Sequence, residues 1–120
     1  IELAICTSVR AADVDFIWNA HVRLGLKAGV REEAIHAIDT FAPLDDLTAD
    51  EALIIGFGRE LLEKRKVSDT TFDAVRERYS EQGLMELTAV MGVYQMNATI
   101  LRARAPPAPS DARLLTPRKR

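Results

Sequence analysis

From Leu84 to Arg102 the apolar residues recur three and four positions apart, in two adjoining rows. Leu84, Leu87, Met91, Tyr94, Ala98 and Leu101 form one row, and Val90, Val93 and Ile100 lie beside it. That spacing places both rows on one broad face of an α-helix. So wide an apolar face needs cover on more than one side, and a chain of 120 residues has few elements to supply it. The expectation is an all-α bundle in which this last helix is the longest apolar element, with a subunit interface as further cover.

The rest of the chain reads as five shorter helices, making six in all, with no strand-like alternation of useful length. The first runs from Ile1 to about Arg10. Ile5, Cys6 and Val9 form its stripe, and Glu2 falls on that same stripe. Asp13 is the expected N-cap of the second helix, which carries Val14, Ile17, Trp18, His21 and Leu24 and ends at Gly29. A third spans about Arg31 to Thr40, with Glu32 and Glu33 at the positive end of its dipole. Phe41 to Leu47 is a loop. Thr48-Ala49-Asp50-Glu51 reads as a capping box opening a fourth helix that reaches about Lys64 and buries Ile54, Phe57 and Leu61. Ser68 caps a fifth with Phe72, Val75 and Tyr79 on one face, and Gly83 divides it from the sixth. Residues 1–104 thus form one helical domain. Residues 105–120, with Pro106, Pro107, Pro109 and Pro117, form a tail that is either disordered or an extended arm. The chain opens at Ile1 within a helical pattern, so residues are expected to precede it.

Composition narrows the partners. The net charge of −2 offers no overall basic field for nucleic acid, and Arg118, Lys119 and Arg120 read as a solvated terminal cluster. No uncharged apolar run is long enough for a membrane span, since Glu86 and Gln95 interrupt the most apolar stretch. Cys6 is the single cysteine, which rules out an intrachain disulfide and fits a reducing, cytoplasmic location. His36 has no ligand spacing with His21, and no metal or other cofactor is expected.

Several segments carry a resemblance. Asn19-Ala20-His21-Val22-Arg23-Leu24-Gly25-Leu26-Lys27-Ala28-Gly29-Val30 resembles the helix-and-turn signature of the carboxymuconolactone decarboxylase family, which includes the alkyl hydroperoxidase D-like proteins. Glu2-Leu3-Ala4-Ile5 resembles that family's "ELAIL" segment. Trp18, three residues before His21, is similar to the "EWxxH" pattern of its decarboxylase-like branch. Val67-Ser68-Asp69 and Met91-Gly92-Val93-Tyr94 resemble later family segments, so the likeness runs from Glu2 to about Arg102. It implies an alkyl hydroperoxidase D-like helical fold that assembles as a homotrimer or homohexamer. It also implies a decarboxylase-like lyase or isomerase acting on a small carboxylated lactone or related acid.

The departures are as informative. Members of the peroxidase branch place a CxxC pair seven and four positions before the histidine, and a glutamate nineteen before it. Here those positions hold Val14, Ile17 and Glu2. The carboxylate and imidazole are kept and both sulfurs are gone, so disulfide-based peroxide reduction is not expected. Ile17 also stands where many decarboxylase-like members carry a glutamate. The alternative is therefore a non-catalytic oligomer that keeps the fold without the reaction.

His21 and Glu2 are the candidate catalytic residues. His21 is either a general acid/base oriented by Glu2 or a core histidine satisfied by one hydrogen bond. Glu2 is either its partner or a frayed terminal residue. Trp18, Tyr94 and Arg23 are the candidate substrate-binding residues: the two aromatics as pocket walls or plain core, Arg23 as a carboxylate fork or a surface charge. Glu2 and His21 each sit eight residues from the turn between their helices, a rise of about 12 Å on either side. An antiparallel pair then brings their polar atoms within about 6 Å, close enough for one bridging water.

Overall fold

The computed structural model describes residues 1–104 and 108–118, and Pro106, Pro107, Lys119 and Arg120 of the expected tail lie outside those residues. Among the described residues the chain is all-helical, with no strand. Five α-helices follow in order: α1 (Glu2–Ala12), α2 (Asp15–Lys27), α3 (Glu32–Thr40), α4 (Ala49–Gly58) and α5 (Asp69–Ala103). A π-helical turn over Arg59–Lys64 extends α4. None of these helices is long and apolar enough to cross a membrane.

Helix α1 occupies the centre and packs against α2, α3, α4, α5 and the π turn. Eight of its residues are buried, including Thr7, Ser8 and Arg10 as well as the expected Ile5, Cys6 and Val9. One apolar cluster joins α1 to α2 and α3 through Trp18, Val22, Ala34, Ile35 and Ile38. A second joins it to α4 and α5 through Phe57, Val75, Leu84 and Met91. Val90 packs against both clusters.

The helix ends follow local chemistry, with two corrections. Gly29 closes α2 with φ 100°, its N–H bonding Leu26 O at 3.1 Å while Val30 N–H bonds Gly25 O at 2.9 Å. This paired closure suits glycine because a left-handed residue is required there. The capping box at Thr48 is present in both directions, with Thr48 Oγ1 and Glu51 Oε1 accepting from each other's backbone N–H at 3.2 and 2.9 Å. Arg31 also grips the Glu51 carboxylate, and its hydrogen bonds hold that carboxyl down at about 2.

Asp13 does not cap α2. It takes the left-handed conformation (φ 59°) that ends α1, and its carboxylate binds Arg10 and Arg118 in place of the α2 backbone. Val14 then precedes α2 without a side-chain cap. The expected fifth and sixth helices form one kinked helix, α5, and the break falls at Ser80 (φ 71°, ψ 172°), not Gly83. Ser80 Oγ accepts from Gly83 N–H at 3.3 Å and so restarts the helix as its own cap. Gly83 serves the kink by leaving room, since a Cβ there would stand 2.6 Å from Tyr79 Cβ.

The tail beyond α5 is an arm where the structure describes it. Residues 108–118 are non-helical and run back over α1, α2 and α3. Asn19, Asp15 and Asp39 accept backbone N–H bonds from Arg113, Leu115 and Thr116 at 2.8, 2.8 and 2.9 Å. Leu115 packs on the first cluster. Side-chain acceptors thus take the place of the strand partner that an extended backbone would otherwise need.

Two glycines of α4 give opposed predictions. A Cβ on Gly58 would run into Thr7 Cγ2 and stand 3.1 Å from Met91 Cε, whereas one on Gly56 meets only Leu44 at 3.7 Å. Alanine favours a helix by roughly 0.5–1 kcal/mol, and overpacking a core costs about 1–3 kcal/mol. Chemical denaturation should find Gly56→Ala more stable than wild type and Gly58→Ala less stable. A Gly58→Ala variant as stable as Gly56→Ala would contradict the close α1–α4 crossing.

Candidate functional site

Glu2 enters the site because it opens α1 on the stripe of Ile5, Cys6 and Val9, and His21 because it lies midway along the antiparallel α2. Their side chains meet as helical spacing predicts: His21 Nδ1 stands 3.2 Å from Glu2 Oε2. Both are largely enclosed, with 15% of the His21 side chain and 23% of the Glu2 side chain exposed. Glu2 is therefore not a frayed terminal residue. Because Nδ1 faces the carboxylate, Nε2 is the nitrogen left for another group.

Tyr94 of α5 packs edge-on against the imidazole, with ring centroids 5.0 Å apart and planes at 83°. Beyond these rings lies a cavity of about 390 Å³, open to solvent, lined by Phe16, Ile17, Ala20 and His21 of α2 and by Tyr94, Asn97, Ile100 and Leu101 of α5. The region around His21 is thus neither filled by side chains nor sealed. Apart from His21, its polar components are Tyr94 and Asn97. Among the described residues neither Tyr94 Oη nor the Asn97 amide has a hydrogen-bond partner. No lysine, arginine or carboxylate lines the cavity.

The other two expected binding residues lie elsewhere. Trp18 is fully buried in the first apolar cluster and does not line the cavity. A separation of three residues turns it about 60° round the helix from His21, enough to put one in the core and the other at its edge. Its indole N–H is buried without a partner among the described residues. Arg23 points outward, donating to Asn19 Oδ1 at 3.2 Å and to Asp111 of the arm. Asn97, conversely, was not singled out by the pattern. The available signal was a polar residue three positions beyond Tyr94 and four before Leu101, on a face otherwise apolar.

Cys6 lies under the pair. It is fully buried and donates its thiol hydrogen toward His21 O at 3.5 Å. Burial, and secondarily the nearby Glu2 carboxylate, push the thiol up to about 12. It is the neutral, unreactive kind of cysteine, with no second sulfur to resolve an oxidised form. Among the described residues no group of three histidine, cysteine or carboxylate side chains is arranged to hold a metal ion.

No family model, curated protein or solved structure matches the chain. The fold and site define an all-helical protein with a carboxylate–imidazole pair at the edge of an apolar cavity.

The thiol supplies a direct check. In the native state Cys6 should resist a colorimetric disulfide reagent at pH 8 and react once denaturant unfolds the chain. The raised value favours the neutral thiol in the folded state. Its contribution to stability is therefore complete below the ordinary thiol value of 9.0 and lost as pH rises toward about 12. Stability of the wild type relative to Cys6→Ser should fall across that window. Rapid labelling of the native protein at pH 8 would refute the buried-thiol description.

Proposed function

We propose that this chain is a carboxymuconolactone decarboxylase-like protein of the alkyl hydroperoxidase D-like fold, with a His21–Glu2 pair that moves a proton on a small substrate held in the α2–α5 cavity. The observation that carries the reading is the 3.2 Å contact between His21 Nδ1 and Glu2 Oε2. Glu2 fixes the tautomer with a proton on Nδ1, which leaves Nε2 as a base, and it steadies the imidazolium once the proton has arrived. Asn97 and Tyr94 are placed to hydrogen-bond an oxygen of the substrate, and Phe16, Ile17 and Leu101 supply apolar contact. With no cationic side chain in the lining, the part of the substrate held here is its neutral lactone or carbonyl portion, and Arg23 has no role in binding it. The reaction class is lyase or isomerase chemistry of the acid/base kind.

A second reading is a non-catalytic oligomer. It is favoured by the exposed edge beside the cavity, where Val93, Met96 and Ile100 of α5 are 47%, 57% and 60% exposed on one helical face. Val90, expected on the same row, turns inward to the two core clusters, so the row splits into a buried and an open part. A second copy seated on Val93, Met96 and Ile100 would cover this edge under either reading.

Two measurements separate the readings. On a panel of carboxylated lactones and their neutral esters, the catalytic reading expects His21→Ala to lower turnover by roughly 10²–10⁴-fold, as removal of a general base does. Glu2→Gln should lower it less, because it keeps Nε2 and an acceptor for Nδ1–H and removes the charge that steadies the imidazolium. No turnover of any panel member by the wild type, or turnover indifferent to His21→Ala, would sink that reading. Light scattering at micromolar concentration should report a trimer or larger, with Met96→Asp shifting it to monomer. A wild-type monomer would leave the open edge of α5 without the proposed cover.

A further inference from the structure

A second cavity, of about 810 Å³, is larger than the one beside His21. It lies where the C-terminal ends of α1 and α3 meet the π turn and the arm. Its lining includes four cations, Arg10, Arg59, Lys64 and Arg118, against two carboxylates, Asp39 and Glu63. Both carboxylates are engaged. Asp39 accepts from the backbone N–H and hydroxyl of Thr116 at 2.9 and 2.7 Å. Glu63 takes a two-pronged grip from Arg118 at 2.8 and 3.0 Å.

Arg59 is left without an ion pair among the described residues. Its guanidinium gives two bonds to backbone carbonyls, Ala42 O at 2.9 Å and Ala37 O at 2.8 Å, and is partly buried. Closing the end of α3 in this way accounts for two of its five N–H groups. Glu63 lies near enough to act on Arg59 by charge, but both oxygens of that carboxylate are held by Arg118. Burial lowers the Arg59 pKa from its ordinary value, and the Glu63 charge offsets this only in part.

Two backbone features shape the same place. Phe41 ends α3 in the left-handed conformation (φ 55°, ψ 34°), which is unfavourable for a bulky residue. Its ring is met by the guanidiniums of Arg10, Arg59 and Arg118 at 4.8, 5.8 and 4.8 Å from the centroid. The helix widens into a π turn over the segment that begins at Arg59 and ends at Lys64, a distortion frequent at functional sites. Local strain and a widened helix thus converge on one arginine-walled hollow.

We propose that this cavity is a binding site for a small oxyanion ligand, one carrying a phosphate or carboxylate group, held by Arg59 and Lys64 against the Phe41 shelf. Arg10 and Arg118 are committed to Asp13, Glu63 and backbone carbonyls, and they form the positive wall without surrendering those bonds. Arg59 supplies the directional N–H donors and Lys64, which is exposed, the mobile charge. The site is independent of the His21 cavity and shares none of its lining residues.

The test is an amide chemical-shift titration of the full chain with inorganic phosphate and, separately, with succinate, at constant ionic strength set by chloride. The expected result is saturable shifts, with a Kd in the millimolar range or tighter, confined to Phe41 and the Arg59–Lys64 turn. The anion that saturates at the lower concentration identifies the ligand group. Arg59→Gln should weaken binding about tenfold or more, and Lys64→Gln, an exposed change that leaves packing alone, by several-fold. Arg23→Gln, an exposed arginine outside the cavity, should leave binding unchanged. Should Arg59→Gln fail to fold, the Lys64→Gln result decides. The proposal is overturned by shifts linear in both anions, or by saturable binding indifferent to Lys64→Gln and to Arg59→Gln. Weakening of equal size in Arg23→Gln would also overturn it.

Discussion

Helix α1 lies inside the molecule with all its neighbours packed round it, so its polar side chains must find partners there. Thr7 returns its hydroxyl to Leu3 O at 2.8 Å. Ser8 donates to Met91 O at 2.7 Å and receives Gln95 Nε2 at 2.9 Å, a small network that pins α1 to α5. Arg10 spreads its guanidinium over Asp39 O, Asp13 and Thr116 O. Leaving any one of these buried groups unpaired would cost more than its bond is worth in net stability, because water is not there to replace it. The positions of α3, α5 and the arm are constrained together by that requirement.

The same requirement explains why the arm is part of the fold. Arg10 needs an acceptor on its outer side, and Thr116 O provides it. Thr116 in turn is held by Asp39, and Arg118 closes over Asp13 and Glu63. These ion pairs are partly exposed and individually worth little. Linked through a buried guanidinium they form a network that also sets Arg10 and Arg118 over the ring of Phe41. Pro109 and Pro117 within the arm each lack an N–H to satisfy and have little chain entropy to lose.

The His21 cavity has a different origin. The helices α2 and α5 both rest on α1, and the cavity wall is shared between them, with the rings of His21 and Tyr94 in edge-on contact. Glu2 reaches the imidazole from beneath, through α1, which keeps the pair fixed in relation to the core. An acid/base pair gains from such rigidity because the proton-accepting nitrogen keeps one direction.

How far the chain was legible follows from the range of each interaction. Period, caps and turns are local, so the helical class, the Thr48 box, the Ser68 cap and the closure at Gly29 could be read directly. The Glu2–His21 contact could be read as well, because two short helices joined by a tight turn leave little freedom in height. The same local reading placed the α5 break at Gly83 and a cap at Asp13. It could not see that Tyr79 needs the space at Gly83, or that Arg10 and Arg118 would claim the Asp13 carboxylate. Direction round the helix axis was decided only by packing: Trp18 turned into the core, Arg23 turned outward, and Asn97 came to the cavity. The sequence by itself determined which segments are helices and which side chains share a face. Tertiary structure alone decided which face is buried on every side and which arginines gather round Phe41. Those outcomes depend on contacts between residues more than a hundred positions apart, which no local period encodes.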